Sequence, residues 1–188
     1  MVAVDVDITP LVEAARHGDA NAWDQLLRRY QLPLFTFVHA LVHHEHTSFD
    51  IVQETFITAV RHLGTLRAEE RFGAWLFGIA HQKCVQQWRR ATRDRLVFDA
   101  NATELPLEVA GPEDEAPSAW LVPRECADRF VSALDELSPA HRAVVVLHFL
   151  EEFSLEQIAA ITATPLGTVK SRLHYAKRRL RERLEERP

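Results

Sequence analysis

Between Leu166 and Leu184 the chain sets seven lysines and arginines against a single glutamate, although its formal net charge is −5. Cations concentrated in this way offer contacts to phosphate. Leu166, Val169, Leu173, Ala176, Leu180 and Leu184 recur every three or four residues and predict the buried face of a helix. The opposite face carries Gly167, Ser171, His174, Tyr175 and Arg178, with Lys170 and Arg172 at its flanks. Small polar donors beside cations suit a helix that enters the DNA major groove and reads base edges. The elements that must position this helix lie just before it. Ser154 and Gln157 have the spacing of a capping box, and Thr164-Pro165 supplies an N-cap and a first-turn proline for the next helix. The segment therefore reads as a helix-turn-helix. An ordinary helical hairpin with a solvated basic face would share the periodicity but not the concentration of charge.

Two further constellations precede it. In the stretch from Phe49 to Leu63, Phe49, Val52, Phe56, Ala59, Val60 and Leu63 are expected in the core, while Asp50, Glu54, Ile57 and Arg61 share another side with Gln53 at its edge. An apolar anchor inside a polar rim suits protein docking. Taken alone, a solvated face with one stray isoleucine is the better reading. The helix expected from about Glu70 to Arg90 is apolar on two sides. Phe72, Trp75, Leu76 and Ile79 mark one side, and Phe77, His81, Cys84 and Trp88 the other, with Lys83, Arg89 and Arg90 nearby. Rings interleaved with cations can stack single-stranded bases and meet their phosphates. A helix buried between neighbours on both sides gives the same pattern, and taken alone is the commoner case.

At 188 residues, with 47% hydrophobic residues and six glycines, the chain is expected to be all-α, with a core in each of two small helical domains. Domains over 1–94 and 125–188 are joined by residues 95–124. That stretch holds Pro106, Pro112, Pro117 and Pro123 with the acidic run Glu113, Asp114, Glu115, and reads as a flexible acidic linker. No apolar run approaches the ~18 residues of a membrane span, and the first ten residues lack the pattern of a signal peptide. Cys84 and Cys126 form no CxxC and read as idle thiols in a reducing cytoplasm. His39, His43, His44 and His46 raise the possibility of a metal, but no cysteine or acidic set completes a site. Nothing suggests a cofactor or an enzyme: there is no Gly-rich phosphate loop, nucleophile motif or HExxH. A stand-alone helix-turn-helix regulator would account for the C-terminal third and leave Asp50 to Arg61 without a role.

In their order, GDANAWDQLLRRY, DIVQETFITAV, FGAWLFGIA with WRR beyond it, and LSPAHRAVVVLHFLEEFSLEQIAAITATPLGTVKSRL resemble bacterial RNA polymerase sigma factors of the extracytoplasmic-function class, in the sigma-70 family. The resemblance implies a first domain that holds core polymerase and melts the start site, and a second that reads the upstream promoter element. It assigns polymerase contact to Asp50, Gln53, Glu54, Ile57 and Arg61. It assigns opening and reading of a −10-type element to the loop Gly64 to Arg71 and the following helix, hence to Arg71, Phe77, His81, Lys83, Trp88, Arg89 and Arg90. Reading of a −35-type element falls to Thr168, Lys170, Ser171, Arg172, His174, Tyr175 and Arg178. It also implies a linker that threads polymerase channels, and regulation by an anti-sigma factor or a kinase. Where relatives carry Asp-Ala-Glu-Asp before VQE, this chain has Thr47, Ser48, Phe49 and Asp50. Some relatives that lack these acids gain charge by phosphorylation nearby, which makes Thr47 and Ser48 candidate modification sites. Tyr175 stands where arginine is common and cannot make arginine's bidentate guanine contact.

Overall fold

A proline in the first turn and a glycine just past the end bound the opening helix, α1 (Thr9–Arg16), which buries Val12 and Ala15. The chain turns at Gly18, whose φ of +89° favours a residue without Cβ. Asp19 then caps α2 (Ala20–Val42), its Oδ1 accepting the N–H groups of Asn21 at 2.8 Å and Ala22 at 3.3 Å. α2 buries Ala22, Leu26, Tyr30, Leu34, Phe37, Val38 and Leu41 along one stripe and ends at His43 in the left-handed region. His44 caps α3 (Glu45–His62), accepting the Thr47 N–H on Nδ1. Two short 3₁₀ turns, Leu63–Thr65 and Glu69–Arg71, lead to α4 (Phe72–Leu96). The computed structural model describes residues 7–96 and 124–185, and every element among them is helical. The linker read over 95–124 lies, apart from its ends, outside the described residues.

The second group comprises α5 (Arg124–Asp135), α6 (Pro139–Val145), a wide π-type turn Val146–Leu150, α7 (Leu155–Thr162) and α8 (Leu166–Glu185). The Ser154–Gln157 capping box is formed at both of its bonds, 2.8 and 3.2 Å. Ala163, at φ +51°, makes the turn into α8. Val169, Leu173, Ala176 and Leu180 of α8 are buried, as their spacing predicts. In α5 Val131 is exposed, while Ala133 and Leu134, with Leu137 just beyond the helix, point inward.

Arg142 organises this group. It is 4% exposed and donates to the carbonyls of Leu134, Asp135 and Leu137 at 2.7–2.8 Å. The same guanidinium crosses to the first group, donating to Ala40 O at 2.8 Å and to His43 Nε2. The two groups therefore pack on each other, with α7 against α4 and α6 against α2, and their buried residues form one continuous core.

The α3 core differs from the sequence expectation. Ser48, Ile51, Val52, Thr55, Phe56 and Ala59 are buried, whereas Phe49 is 53% and Val60 56% exposed. Small hydroxyl residues can face inward because each returns its proton to its own helix: Ser48 to His44 O at 2.8 Å and Thr55 to Ile51 O at 2.6 Å. The capping box gives a direct test. Ser154→Ala should cost about 1 kcal/mol and lower the melting temperature by roughly 2–4 °C when followed by circular dichroism; an unshifted melt would deny it that role.

Candidate nucleic-acid and docking interfaces

Asp50, Gln53, Glu54, Ile57 and Arg61 all stand exposed on one side of α3, as their spacing predicts. Phe49 and Val60 extend this side with apolar surface, beside Ile57 at 43% exposure. The face is thus half apolar and half charged, rather than one isoleucine in a polar stripe. Phe49 and Val60 lie within ~20° of each other on the helix and on the side toward Gln53. Phe49 is braced by Phe35, ring centroids 4.5 Å apart, and Phe35 stacks on His39 at 5.5 Å. Glu54 meets Lys83 of α4 at 3.2 Å, so the lysine assigned to nucleic acid sits at the α3–α4 junction, paired with the docking face.

The two candidate modification sites separate. Ser48 is fully buried, with its hydroxyl committed to His44 O and 3.4 Å from His39 Nδ1, so a kinase cannot reach it in the folded chain. Thr47 is half-buried in the first turn of α3, its Oγ1 3.0 Å from His44 Nδ1. The four nearby histidines do not converge: among the described residues no group of three or more His, Cys, Asp and Glu could hold a metal ion. His43 faces Arg142 and Asp135 instead.

On α8 the residues expected to read DNA lie on or beside the outward side of the helix. Lys170, His174, Tyr175 and Arg178 are exposed, and Thr168 and Ser171 are half-buried, with the Ser171 hydroxyl donating to Thr168 O at 3.0 Å. The Arg178 guanidinium lies 5.6 Å from the Tyr175 ring centre, and that ring meets His141 at 4.7 Å. Arg172 is half-buried beside His141 and, from the other group, His81.

The first 3₁₀ loop and α4 give a mixed result. Arg71, Arg89 and Arg90 are exposed and Trp88 is half-buried against the core. Arg16, which sequence reasoning did not single out, pins the loop by an ion pair to Glu69 and a 2.7 Å bond to Leu66 O. Phe77 overturns its assignment as a base-stacking ring. It is fully buried, 5.4 Å from Phe37 and 5.1 Å from Phe153, because α7 covers that side of α4. Cys84 is buried on the same side, and burial pushes its thiol up to about 12. Here the commoner reading of a two-sided apolar helix holds.

Residues 26–94 match the family model for sigma-70 region 2, and residues 133–182 match that for sigma-70 region 4. The chain is 32% identical over 179 residues to the RNA polymerase sigma factor CarQ of Myxococcus xanthus, covering 93% of this chain and 96% of that one. This chain belongs to the sigma-70 family. It is also 32% identical over 174 residues to the extracytoplasmic-function sigma-E factor of Salmonella typhimurium, covering 89% and 88% of the two chains. Among solved structures it resembles the sigma factor RpoE of Bartonella quintana, determined in complex with the anti-sigma factor NepR. The TM-score is 0.67 at 28% identity, over 88% of this chain and 98% of that one.

The chain is a sigma factor of the extracytoplasmic-function class: it binds core RNA polymerase and directs it to promoters for transcription initiation. Sigma factors are non-catalytic regulatory subunits, and no helix among the described residues is long and apolar enough to cross a membrane.

His43 and His81 of the sigma factor lie where the groups meet and His141 lies beside Arg172, and all three are held below the usual imidazole range. His81 is lowered to about 4 by burial and then by Arg172. His43 is lowered by burial and then Arg142, against an opposing pull from Asp135, and His141 by burial and then Arg172. The folded chain therefore holds them neutral, while an unfolded histidine takes up its proton near pH 6.5. Stability contributed by these sites is present above about 6.5 and is lost as the pH falls below it, in the case of His81 toward about 4. Thermal melts between pH 7 and 4.5 should show a steep decline that His81→Gln partly flattens; equal slopes in the two proteins would contradict this placement of His81.

Proposed function

We propose that the sigma factor divides its work among three surfaces. The face of α3, with Asp50, Gln53, Glu54, Ile57 and Arg61 joined by Phe49 and Val60, docks on core polymerase. The loop Gly64 to Arg71 and α4, with Arg71, His81, Trp88, Arg89 and Arg90, open and read the −10-type element. Thr168, Lys170, Ser171, Arg172, His174, Tyr175 and Arg178 read the −35-type element. Residues 1–94 and 125–188 act as the two domains, with 95–124 as the connector that threads the enzyme. The chain works in the cytoplasm, has no catalytic activity of its own, and takes an anti-sigma factor as a partner, as its structural relative does with NepR.

The observation that favours this reading is the exposed apolar half of α3. A stand-alone regulator would leave Phe49, Ile57 and Val60 in water with charges ranged along one edge. Such a face has the apolar anchors and charged rim of a protein interface. Ile57→Asp and Glu54→Ala should weaken binding to core polymerase, the former by roughly tenfold or about 1.4 kcal/mol, without affecting promoter contacts made by α8. Lys170→Ala should do the reverse, weakening promoter binding and reducing its salt slope by about one unit. Filter binding across a salt series and a polymerase pull-down separate the two; loss of the same step by both variants would refute the division.

Thr47 is the modification site we retain. A phosphate there adds close to two negative charges at the first turn of α3, where the helix dipole favours them and where the acids of relatives are missing. Thr47→Asp should raise polymerase affinity in a titration with core enzyme; an unmodified chain that binds as tightly as the variant would remove the site.

A further inference from the structure

Tyr175 stands on the outward side of α8, 42% exposed, one turn after Ser171 and one before Arg178. An exposed tyrosine is ordinarily free to change rotamer; this one is held. Its ring meets that of His141, of α6, at 4.7 Å, and the Arg178 guanidinium lies over it at 5.6 Å. Arg178 is in turn 3.7 Å from Glu182, on the following turn. His141 is itself fixed. Its Nδ1 and the Ser138 hydroxyl are 2.6 Å apart, and its neighbour Arg142 is anchored on the carbonyls of Leu134, Asp135 and Leu137. Burial and then Arg172 keep the imidazole neutral near pH 7, so it braces the ring without adding a charge that would repel Arg178.

We propose that Tyr175 reads a thymine of the promoter duplex and that His141 is the positioning residue that aims it. The inference deepens the reading of α8 given above and rests on it. With His141 and Arg178 against the ring, Tyr175 offers a groove its outer edge and its hydroxyl, which makes no hydrogen bond among the described residues. In the major groove a thymine presents the O4 acceptor beside the C5-methyl group. A phenol presents an O–H donor beside an apolar C–H edge, so the two match at two points, one polar and one apolar. Guanine offers two acceptors that take a fork of donors, and adenine a donor and an acceptor that take an amide; one hydroxyl meets only half of either. Tyr175 lies in the third turn of α8, beyond the N-terminal residues that come nearest the bases, and there a side chain longer than that of Ser171 is needed to reach them.

The test uses the full chain assembled with core polymerase. A promoter is first selected from a library randomised over the upstream element. Each thymine of that element, on either strand, is then replaced in turn by uracil, which removes the methyl group and nothing else. One replacement should weaken binding by the wild-type complex roughly fourfold, the worth of one buried methyl group. In a Tyr175→Ala complex the same replacement should cost less than about twofold, since the cycle isolates the contact. Tyr175→Arg, put through a fresh selection, should turn the preference at that position to guanine and leave the other positions as they were.

His141→Ala should remove the uracil effect as Tyr175→Ala does, with helicity kept by circular dichroism. His141→Phe, which returns a ring to the contact, should restore it. A merely structural role for His141 would weaken binding to the thymine and uracil promoters alike. Absence of any uracil effect in the wild type, its survival in Tyr175→Ala, or retention of thymine by Tyr175→Arg overturns the thymine contact. An effect that depends on Tyr175 and is untouched by His141→Ala overturns the positioning role. Lys170→Ala separates these outcomes from failure of the underlying reading: if it too leaves promoter binding unchanged, α8 does not read the duplex and this inference falls with that assignment.

Discussion

A buried guanidinium is expensive to desolvate and tolerable only when its donors are used. Arg142 meets that requirement with four carbonyls and an imidazole drawn from two helix ends, that of α5 and that of α2. Asp135 adds an opposing charge that offsets the desolvation. Lysine could not substitute, because the contacts need a planar fork with donors fixed at divergent angles. The rest of the second group is arranged around this constraint: α6 must start at Pro139 for Arg142 to reach back to the end of α5. The same constraint links the two groups, since one arm of the fork has its acceptors in the other.

The outward side of α3 follows from what its inward side can hold. Ser48, Thr55 and Ala59 are small and let α3 lie close to its neighbours, and the hydroxyls are satisfied within the helix. Burying these residues rotates Phe49 and Val60 into solvent. An apolar strip on a surface helix is costly to leave wet and is a common mark of a binding face. Its adjacency to Asp50, Glu54 and Arg61 gives the strip an orienting charged border, and core polymerase is the partner we propose for it.

The nucleic-acid surfaces show a different balance. On α8, Lys170, His174, Tyr175 and Arg178 of the proposed reading face project into solvent because Val169, Leu173, Ala176 and Leu180 face inward. On α4 the apolar residues span too wide an arc for one neighbour, and the excess is met by α7. A helix with more apolar surface than its own bundle can cover has two ways to hide it, a transient partner or another part of the same chain. In this sigma factor the second is realised, and it sets burial and proton affinity at His81 together.

Helical class, the capping box at Ser154, the buried stripe of α8 and the basic outward face were legible in the sequence because each depends on residues three or four apart. The charged half of the α3 face was legible for the same reason. Which of two apolar arcs on α3 turns inward was not, since Phe49 and Val60 outrank Ser48 and Thr55 in hydrophobicity and only the spacing between helices decides the matter. The burial of Phe77, the inaccessibility of Ser48 and the span of Arg142 from one group to the other were beyond local reading. Each depends on a contact between residues far apart in the chain, and such contacts leave no period in a sequence. Sequence alone therefore determined the elements and the chemistry of their faces, while the tertiary structure decided which faces are free, because exposure depends on what packs against a helix and not on the helix itself.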